Sequence, residues 1–182
     1  MYGMVNQGVR AFIVEYFGQR DWSEICQSVG LSDDEFEAMA TYPDAVTYDL
    51  VKTISAKYDM PASQVLEVFG TFWVDYSGQT AIGQLLRFGG NDLLERLDGL
   101  NELHERIKLS MPHLKPPSFD FVELAENVFS LRYFSDREGL ESMVMGLVRG
   151  LSEQTGQAIE LTQDETPAVS DARASFTIRL QE

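Results

Sequence analysis

The amino-acid sequence predicts an α+β fold, in which several helices precede an antiparallel sheet that carries at least one further helix. Two observations support this prediction. Before Pro112, apolar residues recur at the three- and four-residue spacing of helices, and after Pro117 they alternate with polar residues as in strands. A length of 182 residues, 44% of them hydrophobic, is typical of one globular domain or of two small subdomains that share a core.

The first helix is expected to end at Gly18, because glycine readily terminates a helix. Its apolar face comprises Val5, Val9, Phe12, Ile13, Tyr16 and Phe17. The pairs Asp21–Glu24 and Ser32–Glu35 have the spacing of capping boxes, which predicts two further short helices. The first of these should end before Gly30.

Three helices are expected between residues 47 and 88. Thr47–Lys57 forms the first, with Leu50, Val51 and Ile54 on its apolar side. Pro61 suits the first turn of the second helix, which Gly78 ends. The apolar face of this second helix is rich in aromatic residues and comprises Val65, Phe69, Phe72, Trp73 and Tyr76. A short helix over Thr80–Phe88 follows and ends at the Gly89–Gly90 pair.

A further helix is expected to begin after Asn91, which can cap it, and to end before Pro112. Its apolar stripe comprises Leu93, Leu97, Leu100, His104 and Ile107. This spacing directs the imidazole of His104 towards the core together with the leucines.

Two hairpins and one helix are predicted for the part of the chain after Pro117. Phe119–Glu123 and Phe129–Tyr133 alternate as strands and turn near Glu126–Asn127. A helix is expected from Glu138 to about Thr155, with Leu140, Met143, Val144, Leu147 and Leu151 on one face. The last hairpin pairs Ala158–Gln163 with a strand that carries Ala174, Phe176, Ile178 and Leu180 inward.

Charge and composition exclude several classes of protein. With 29 acidic and 14 basic residues, the net charge of −15 opposes binding to nucleic acids or to anionic membrane surfaces. A single cysteine, Cys26, excludes an intramolecular disulfide and a site with several cysteine ligands. The sequence contains neither a signal peptide nor an apolar run long enough to span a membrane. We therefore expect a cytoplasmic protein.

Motifs typical of common enzymes are missing from the sequence. It contains no Gly-x-Ser-x-Gly elbow, no Gly-x-Gly-x-x-Gly turn and no phosphate-binding Gly-Lys-Ser/Thr loop. Cys26 has no histidine near it in sequence and is interpreted as a buried apolar residue. The sequence therefore predicts no catalytic residues, and we expect that the protein is not an enzyme.

The two histidines have different interpretations. His113 follows Pro112 in a loop, where a side chain that faces solvent is expected. His104 lies on the apolar stripe and has two interpretations that spacing alone leaves open. It is either a core histidine with ordinary hydrogen-bond partners or an axial ligand of a metal centre, for which a neutral imidazole is well suited.

A group of donors lies at the end of the second strand. If the strand extends that far, Tyr133, Ser135 and Arg137 share one face, because alternate side chains of a strand point the same way. Two hydroxyl groups and a guanidinium group suit the binding of carboxylates. Taken alone, the pattern is also that of an ordinary strand edge beside a hairpin.

Taken together, these features resemble the H-NOX family of haem nitric oxide/oxygen-binding domains, which includes the haem domain of soluble guanylate cyclase and stand-alone bacterial gas sensors. The resemblance rests on His104, on the Pro116–Pro117 pair and on the segment YFSDREGLESMVMGL from Tyr133. The start MYGMVNQGVRAFIVEYFG, TYDLV at Thr47–Val51 and FG at Phe69–Gly70 add to it. It covers nearly the whole chain.

The resemblance implies one haem domain over residues 1–182. A helical N-terminal subdomain over about residues 1–60 would pack on a C-terminal subdomain over about residues 61–182, with haem b between them. His104 would be the proximal iron ligand, and Tyr133, Ser135 and Arg137 would bind the haem propionates. Pro117 and Val5 would pack against the haem.

The resemblance also suggests which gas is bound. The position of the distal tyrosine in oxygen-binding members falls on Met143, whose thioether donates no hydrogen bond. A second position of the distal pocket falls on Trp73, whose indole N–H is a donor and keeps oxygen open as an alternative ligand. Nitric oxide needs no such donor, so we expect a nitric oxide sensor that also binds carbon monoxide.

Signalling is expected to pass to a separate protein, a histidine kinase or a cyclic-di-GMP enzyme. Nitric oxide would weaken the bond between iron and His104, so that the helix carrying His104 moves and the haem presses differently on Val5 and Pro117. Three rival functions remain: an oxygen sensor, a haem enzyme such as a peroxidase or monooxygenase, and a haem-free adaptor that binds another apolar ligand. A haem enzyme is disfavoured because Met143 supplies neither an acid–base group nor a thiolate.

Overall fold

The computed structural model describes residues 1–32, 36–79 and 90–181. The helix predicted over Thr80–Phe88 lies outside these ranges. The capping box predicted at Ser32–Glu35 also lies outside them except for Ser32, and residues 36–40, into which its helix would continue, are described and form a turn rather than a helix. Within the described ranges, no helix is long and apolar enough to cross a membrane.

Helices precede an antiparallel sheet, as predicted. The helices are α1 (Gly3–Phe17), α2 (Gln19–Ser28), α3 (Asp44–Lys57), α4 (Ala62–Gly78), α5 (Leu93–Asp98), α6 (Leu100–Ser110) and α7 (Glu141–Thr155). The strands are β1 (Ser118–Ala125), β2 (Val128–Phe134), β3 (Ile159–Gln163) and β4 (Ala174–Leu180). They form one sheet in the order β1-β2-β4-β3, with antiparallel pairs throughout. The α+β prediction is confirmed.

Helix α3 begins at Asp44 rather than at the predicted Thr47, and α7 begins at Glu141 rather than at Glu138. Two predicted helix caps are also wrong. Helix α2 begins at Gln19 without a side-chain cap, and Glu24 of the predicted capping box pairs with Lys57 instead, at 2.6 Å. Asp92 rather than Asn91 caps α5, since its carboxylate accepts the Glu95 N–H over 2.9 Å.

The single helix predicted from Asn91 to Ile107 is two helices. Gly99 separates them and serves as the C-cap of α5 and the N-cap of α6. Glycine weakens a helix by about 1 kcal/mol relative to alanine, which explains a break at this position. The second of the two helices, α6, carries His104.

Apolar side chains form two buried clusters. The first lies among α1 to α4 and includes Val9, Phe12, Ile13, Trp22, Ile25, Leu50, Ile54, Val65 and Phe69. The second lies between the sheet, α5 and α7 and includes Leu93, Leu97, Phe119, Leu131, Tyr133, Val144, Val148, Phe176 and Ile178. The predicted inward positions Ala174, Phe176 and Ile178 are buried.

Helices α4 and α7 connect the two clusters through a very close contact. A Cβ atom added at Gly146 of α7 would lie 1.9 Å from the Glu67 carbonyl oxygen, and one at Gly70 of α4 would lie 2.3 Å from that of Met143. Only glycine fits this approach, so the relative position of the two helices is fixed where they cross.

Candidate functional site

A cavity of about 1340 Å³ lies between the two buried clusters. It exceeds the roughly 300–1,000 Å³ of ordinary ligand pockets. Its apolar wall comprises residues of α4, α6 and α7, among them Phe72, Val74, Leu100, Leu103, Ile107, Leu140, Met143, Val144, Leu147 and Leu151. Charged and hydroxyl-bearing groups of Tyr133, Arg137 and Lys115 also contribute to the lining.

His104 lines this cavity from α6. None of the residues described in α6 is fully buried, because its apolar side faces the cavity rather than a packed core. Burial lowers the pKa of His104 below its ordinary 6.5, although the backbone of Pro117 opposes this effect. The imidazole is therefore neutral at pH 7, with a lone pair available for a metal.

The hydrogen bonding of His104 is incomplete. Its Nδ1 is buried and has no hydrogen-bond partner in the part of the chain that the structure describes. The imidazole stacks on Phe119 of β1, with ring centroids 6.1 Å apart. A core histidine normally has its ring nitrogens satisfied, so this environment favours the metal-ligand interpretation over that of a core histidine.

The structure brings Tyr133 and Arg137 to the cavity, while Ser135 is not in its lining. Strand β2 ends at Phe134, so the three residues do not continue one strand face. Ser135 instead accepts the backbone N–H of Arg137 on its Oγ, at 3.0 Å. Tyr133 is 2% exposed, and burial raises the pKa of its hydroxyl, although Ser135 opposes this effect. The hydroxyl therefore stays a donor at neutral pH.

Arg137 is held at the cavity by two partners that the sequence did not predict. Its Nε donates to Asp44 Oδ2 over 2.7 Å, and an Nη atom donates to the Lys115 carbonyl oxygen over 2.7 Å. The other oxygen of Asp44 accepts from the ammonium group of Met1 over 2.5 Å. Although burial alone would raise the pKa of Asp44, the hydrogen bonds from Met1 and Arg137 lower it below 3.8.

The remaining predicted site residues also line the cavity. Pro117 and Val5 lie on its wall, as do Met143 and Trp73. Trp73 packs tightly over Gly8, where an added Cβ would lie 2.5 Å from the indole ring. Its ring also contacts Phe69 and Tyr76. Of the aromatic stripe predicted for α4, Phe72, Trp73 and Tyr76 line the cavity, whereas Phe69 is buried in the N-terminal cluster.

Phe119, Tyr76 and Lys115 are among the cavity residues that the sequence reasoning missed. Phe119 was read only as a strand residue, Tyr76 only as part of the aromatic stripe, and Lys115 was not considered. Burial raises the pKa of Tyr76, so its hydroxyl is a second potential donor beside Trp73. The chain contains no local signal for these roles, since they depend on which elements meet around the cavity.

Neither of the other predicted candidates adds a ligand to this centre. His113 lies at the edge of the same cavity with an exposed side chain, and its backbone N–H donates to the Tyr2 hydroxyl over 3.2 Å. Cys26 is fully buried in the N-terminal cluster, as interpreted from the sequence.

The site fits a large, mostly apolar group that carries a metal and acidic substituents. His104 supplies a neutral nitrogen, the leucine-rich wall supplies apolar contacts, and Tyr133 and Arg137 supply donors for carboxylates. Haem has these properties, and haem iron is commonly held by a histidine. The residues present therefore fit haem.

Comparison with known proteins points the same way. The family model described as Haem-NO-binding matches residues 2–163. Soluble guanylate cyclase gcy-31 of Caenorhabditis elegans is 29% identical over 91% of this chain and 24% of its own length. Soluble guanylate cyclase gcy-33 of the same organism is 30% identical over 80% of this chain and 15% of its own length. The chain thus spans about a quarter or less of these curated relatives.

Solved structures share the fold over the whole chain. An H-NOX protein from S. oneidensis in the Fe(II)NO ligation state has a TM-score of 0.88 at 20% identity and covers 100% of both chains. The Fe(II) unliganded H-NOX protein from K. algicida has a TM-score of 0.84 at 19% identity and covers 100% of this chain and 97% of its own.

Proposed function

Because the chain belongs to the H-NOX family and is a haem-binding gas sensor domain, we propose that it senses nitric oxide and signals to a separate effector protein. The observation that carries the proposal is His104. It is a neutral, partly buried imidazole on the wall of a haem-sized cavity, and its buried Nδ1 has no hydrogen-bond partner among the described residues.

In this proposal the residues that line the cavity have separate roles in binding haem. His104 would ligate the iron of haem b, and the haem would supply the gas-binding chemistry. Tyr133 and Arg137, which line the cavity, would bind the propionates, and Ser135 would contribute indirectly by fixing the turn before Arg137. Pro117 and Val5 pack on the haem from the cavity wall.

Gas selection in this proposal follows from Met143. Its thioether lines the cavity but donates no hydrogen bond, so it does not stabilise the polar unit that oxygen forms with iron. Nitric oxide and carbon monoxide depend less on such a donor. The expected ligand is therefore nitric oxide, with carbon monoxide as a second gas that binds.

The alternative is an oxygen sensor, and Trp73 and Tyr76 are the observations in its favour. Both line the cavity and both carry a donor. Trp73→Phe and Tyr76→Phe distinguish the two functions when the reduced, haem-loaded variants are exposed to air. The nitric oxide proposal predicts that neither wild type nor variants form a stable oxygen complex. If wild type forms a stable oxygen complex and either substitution abolishes it, the protein is an oxygen sensor.

The effector is proposed to be a histidine kinase or a cyclic-di-GMP enzyme, in a cytoplasmic setting. A net charge of −15 suits a partner with a basic docking surface. An H-NOX domain is a sensor domain and is not catalytic by itself. The chain matches only 15–24% of the length of the two cyclases compared above, so we assign no cyclase activity to it.

Titration of the haem-free protein with haem tests the proposal. We expect saturation at one equivalent, with a Soret band that changes when nitric oxide is added to the reduced protein. A protein that takes up no haem contradicts the proposal and favours the adaptor function, in which the cavity binds another apolar ligand. Turnover of peroxide by the loaded protein would instead favour a haem enzyme.

A further inference from the structure

Asn101 connects the helix that carries His104 to the sheet through two hydrogen bonds. Its Oδ1 accepts the backbone N–H of Phe119 over 2.9 Å, and its Nδ2 donates to the Phe119 carbonyl oxygen over 2.6 Å. Asn101 lies in the first turn of α6, one turn before His104, and Phe119 lies near the start of β1. A single side chain thus satisfies both backbone polar groups of one strand residue.

The position of Phe119 in the sheet explains why these groups are available. Strand β1 is at the edge of the sheet, and Phe119 pairs with Tyr133 of β2. The carbonyl of Tyr133 accepts from Arg173 on its other side over 2.8 Å, so the backbone groups of this pair point away from each other. The Asn101 amide therefore takes the place that a further strand would occupy beside Phe119.

The same residue contacts His104 through its ring. The Phe119 ring lies 6.1 Å from the His104 ring and 5.7 Å from the Tyr133 ring, measured between centroids. The Phe119 ring therefore lies between His104, the proposed iron ligand, and Tyr133, which is proposed to bind a propionate, while the Phe119 backbone is hydrogen-bonded to Asn101.

Burial of its own side chains does little to hold α6 in place. The residues described in α6 include none that is fully buried, and its apolar side faces the cavity. At its far end the fully buried Met111 follows directly. The helix is thus anchored near its two ends, by Asn101 at β1 and by Met111, while His104 lies between the anchors.

We propose that Asn101 is a positioning residue, which sets the placement of His104 against β1 and couples displacements of α6 to that strand. This inference rests on the proposed function, in which His104 ligates haem iron. An amide is needed because it offers a donor and an acceptor side by side. Aspartate keeps only the acceptor, and alanine keeps neither.

The test compares wild type with Asn101→Ala and Asn101→Asp, and uses Glu102→Ala as the matched control. Glu102 is the next residue of the same helix and is exposed, and it forms a salt bridge with Arg106 of α6. Two quantities are measured: hydrogen exchange of the Phe119 amide in the haem-free protein, and the iron–histidine stretching band of the reduced, haem-loaded protein.

We expect Phe119 exchange to be on the order of tenfold faster in Asn101→Ala than in wild type, which corresponds to the loss of one ordinary hydrogen bond. Exchange should stay close to the wild-type rate in Asn101→Asp, which retains the acceptor. The stretching band should shift in both Asn101 variants, and Glu102→Ala should leave both quantities unchanged. Asn101→Asp keeps the test decisive if the alanine variant does not fold.

The inference is overturned if the iron–histidine stretching band of both Asn101 variants is the same as that of wild type. This holds even if the Phe119 amide exchanges faster, because the Asn101 side chain would then connect α6 to β1 without affecting His104. Unchanged exchange in Asn101→Ala also overturns it. These results leave the proposed function intact. A wild type that takes up no haem contradicts the proposed function itself, and the inference with it.

Discussion

Arg137 and Asp44 form an ion pair across 93 residues of sequence, with Nε 2.7 Å from Oδ2. The pair joins the turn after β2 to the first turn of α3. It holds the guanidinium group at the cavity while other N–H groups of that side chain remain for a ligand. Asp44 thereby orients the residue proposed to bind the propionates.

Replacing His104 by alanine should abolish ligation of the iron by the protein, because the second histidine, His113, is an exposed residue at the cavity edge. Visible spectra of the reduced, haem-loaded variant should lose the wild-type form, and added imidazole should restore it by binding in the space left. His113→Ala is the control and should retain the wild-type spectrum. A normal spectrum for His104→Ala contradicts the assigned ligand.

Replacing Arg137 by alanine should accelerate haem loss. A hydrogen bond to a charged group contributes about 1.5–3 kcal/mol, which corresponds to a roughly 10- to 150-fold change. Transfer of haem to a scavenging globin measures the rate. Arg179→Ala is the matched control, because Arg179 pairs with Glu160 on the exposed side of the sheet. Equal rates of haem loss for the two variants would contradict the proposal that Arg137 binds a propionate.

Asp44 should make stability depend on pH in acid. Its folded pKa lies below the ordinary 3.8 because Met1 and Arg137 donate to it, against the opposing effect of burial. The stabilisation that ionised Asp44 gives the folded state is therefore complete above pH 3.8. It decreases as the pH falls through the folded pKa, because the folded state then also takes up the proton. Urea unfolding of wild type and Asp44→Asn from pH 3 to pH 7 measures this. The difference in unfolding free energy should be constant near neutrality and shrink below about pH 4; a difference independent of pH contradicts the ion pair.

Replacing Gly146 by alanine should destabilise the protein by about 1–3 kcal/mol, the usual range for overpacking. The added Cβ would lie 1.9 Å from a backbone oxygen of α4, which cannot turn aside as a side chain can. Gly78→Ala is the control, since among the described residues no group outside its own helical turn lies within 4 Å of its added Cβ. Thermal and urea unfolding should show a loss for Gly146→Ala only. Equal stabilities would mean that α4 and α7 separate readily.

The sequence predicted much of the fold because periodicity is a local property. The change of period around the prolines, the turn at Asn127 and the inward positions of β4 all follow from spacing, and Asn127 has the positive φ of 60° that such a turn favours. The break at Gly99 was missed because the apolar stripe continues through it from Leu97 to Leu100.

The site was less accessible to prediction than the fold. His104, Tyr133 and Arg137 were predicted as site residues from a stripe, a strand end and a family resemblance, all carried by nearby residues, and the structure places all three in the lining of the cavity. Asp44 belongs to a helix 93 residues away from its partner, and its role depends on how α3 meets the turn after β2. Likewise, the amide of Asn101 gains significance only because β1 leaves an open edge beside it.

Visible spectra of the reduced, haem-loaded protein in argon, in air and with nitric oxide test the central claim most directly. The account predicts a five-coordinate ferrous spectrum in argon that oxygen leaves unchanged and nitric oxide shifts. A stable oxygen complex in air would contradict the assignment of the gas while leaving His104 as the ligand. Absence of a Soret band after addition of haem would contradict the haem site itself.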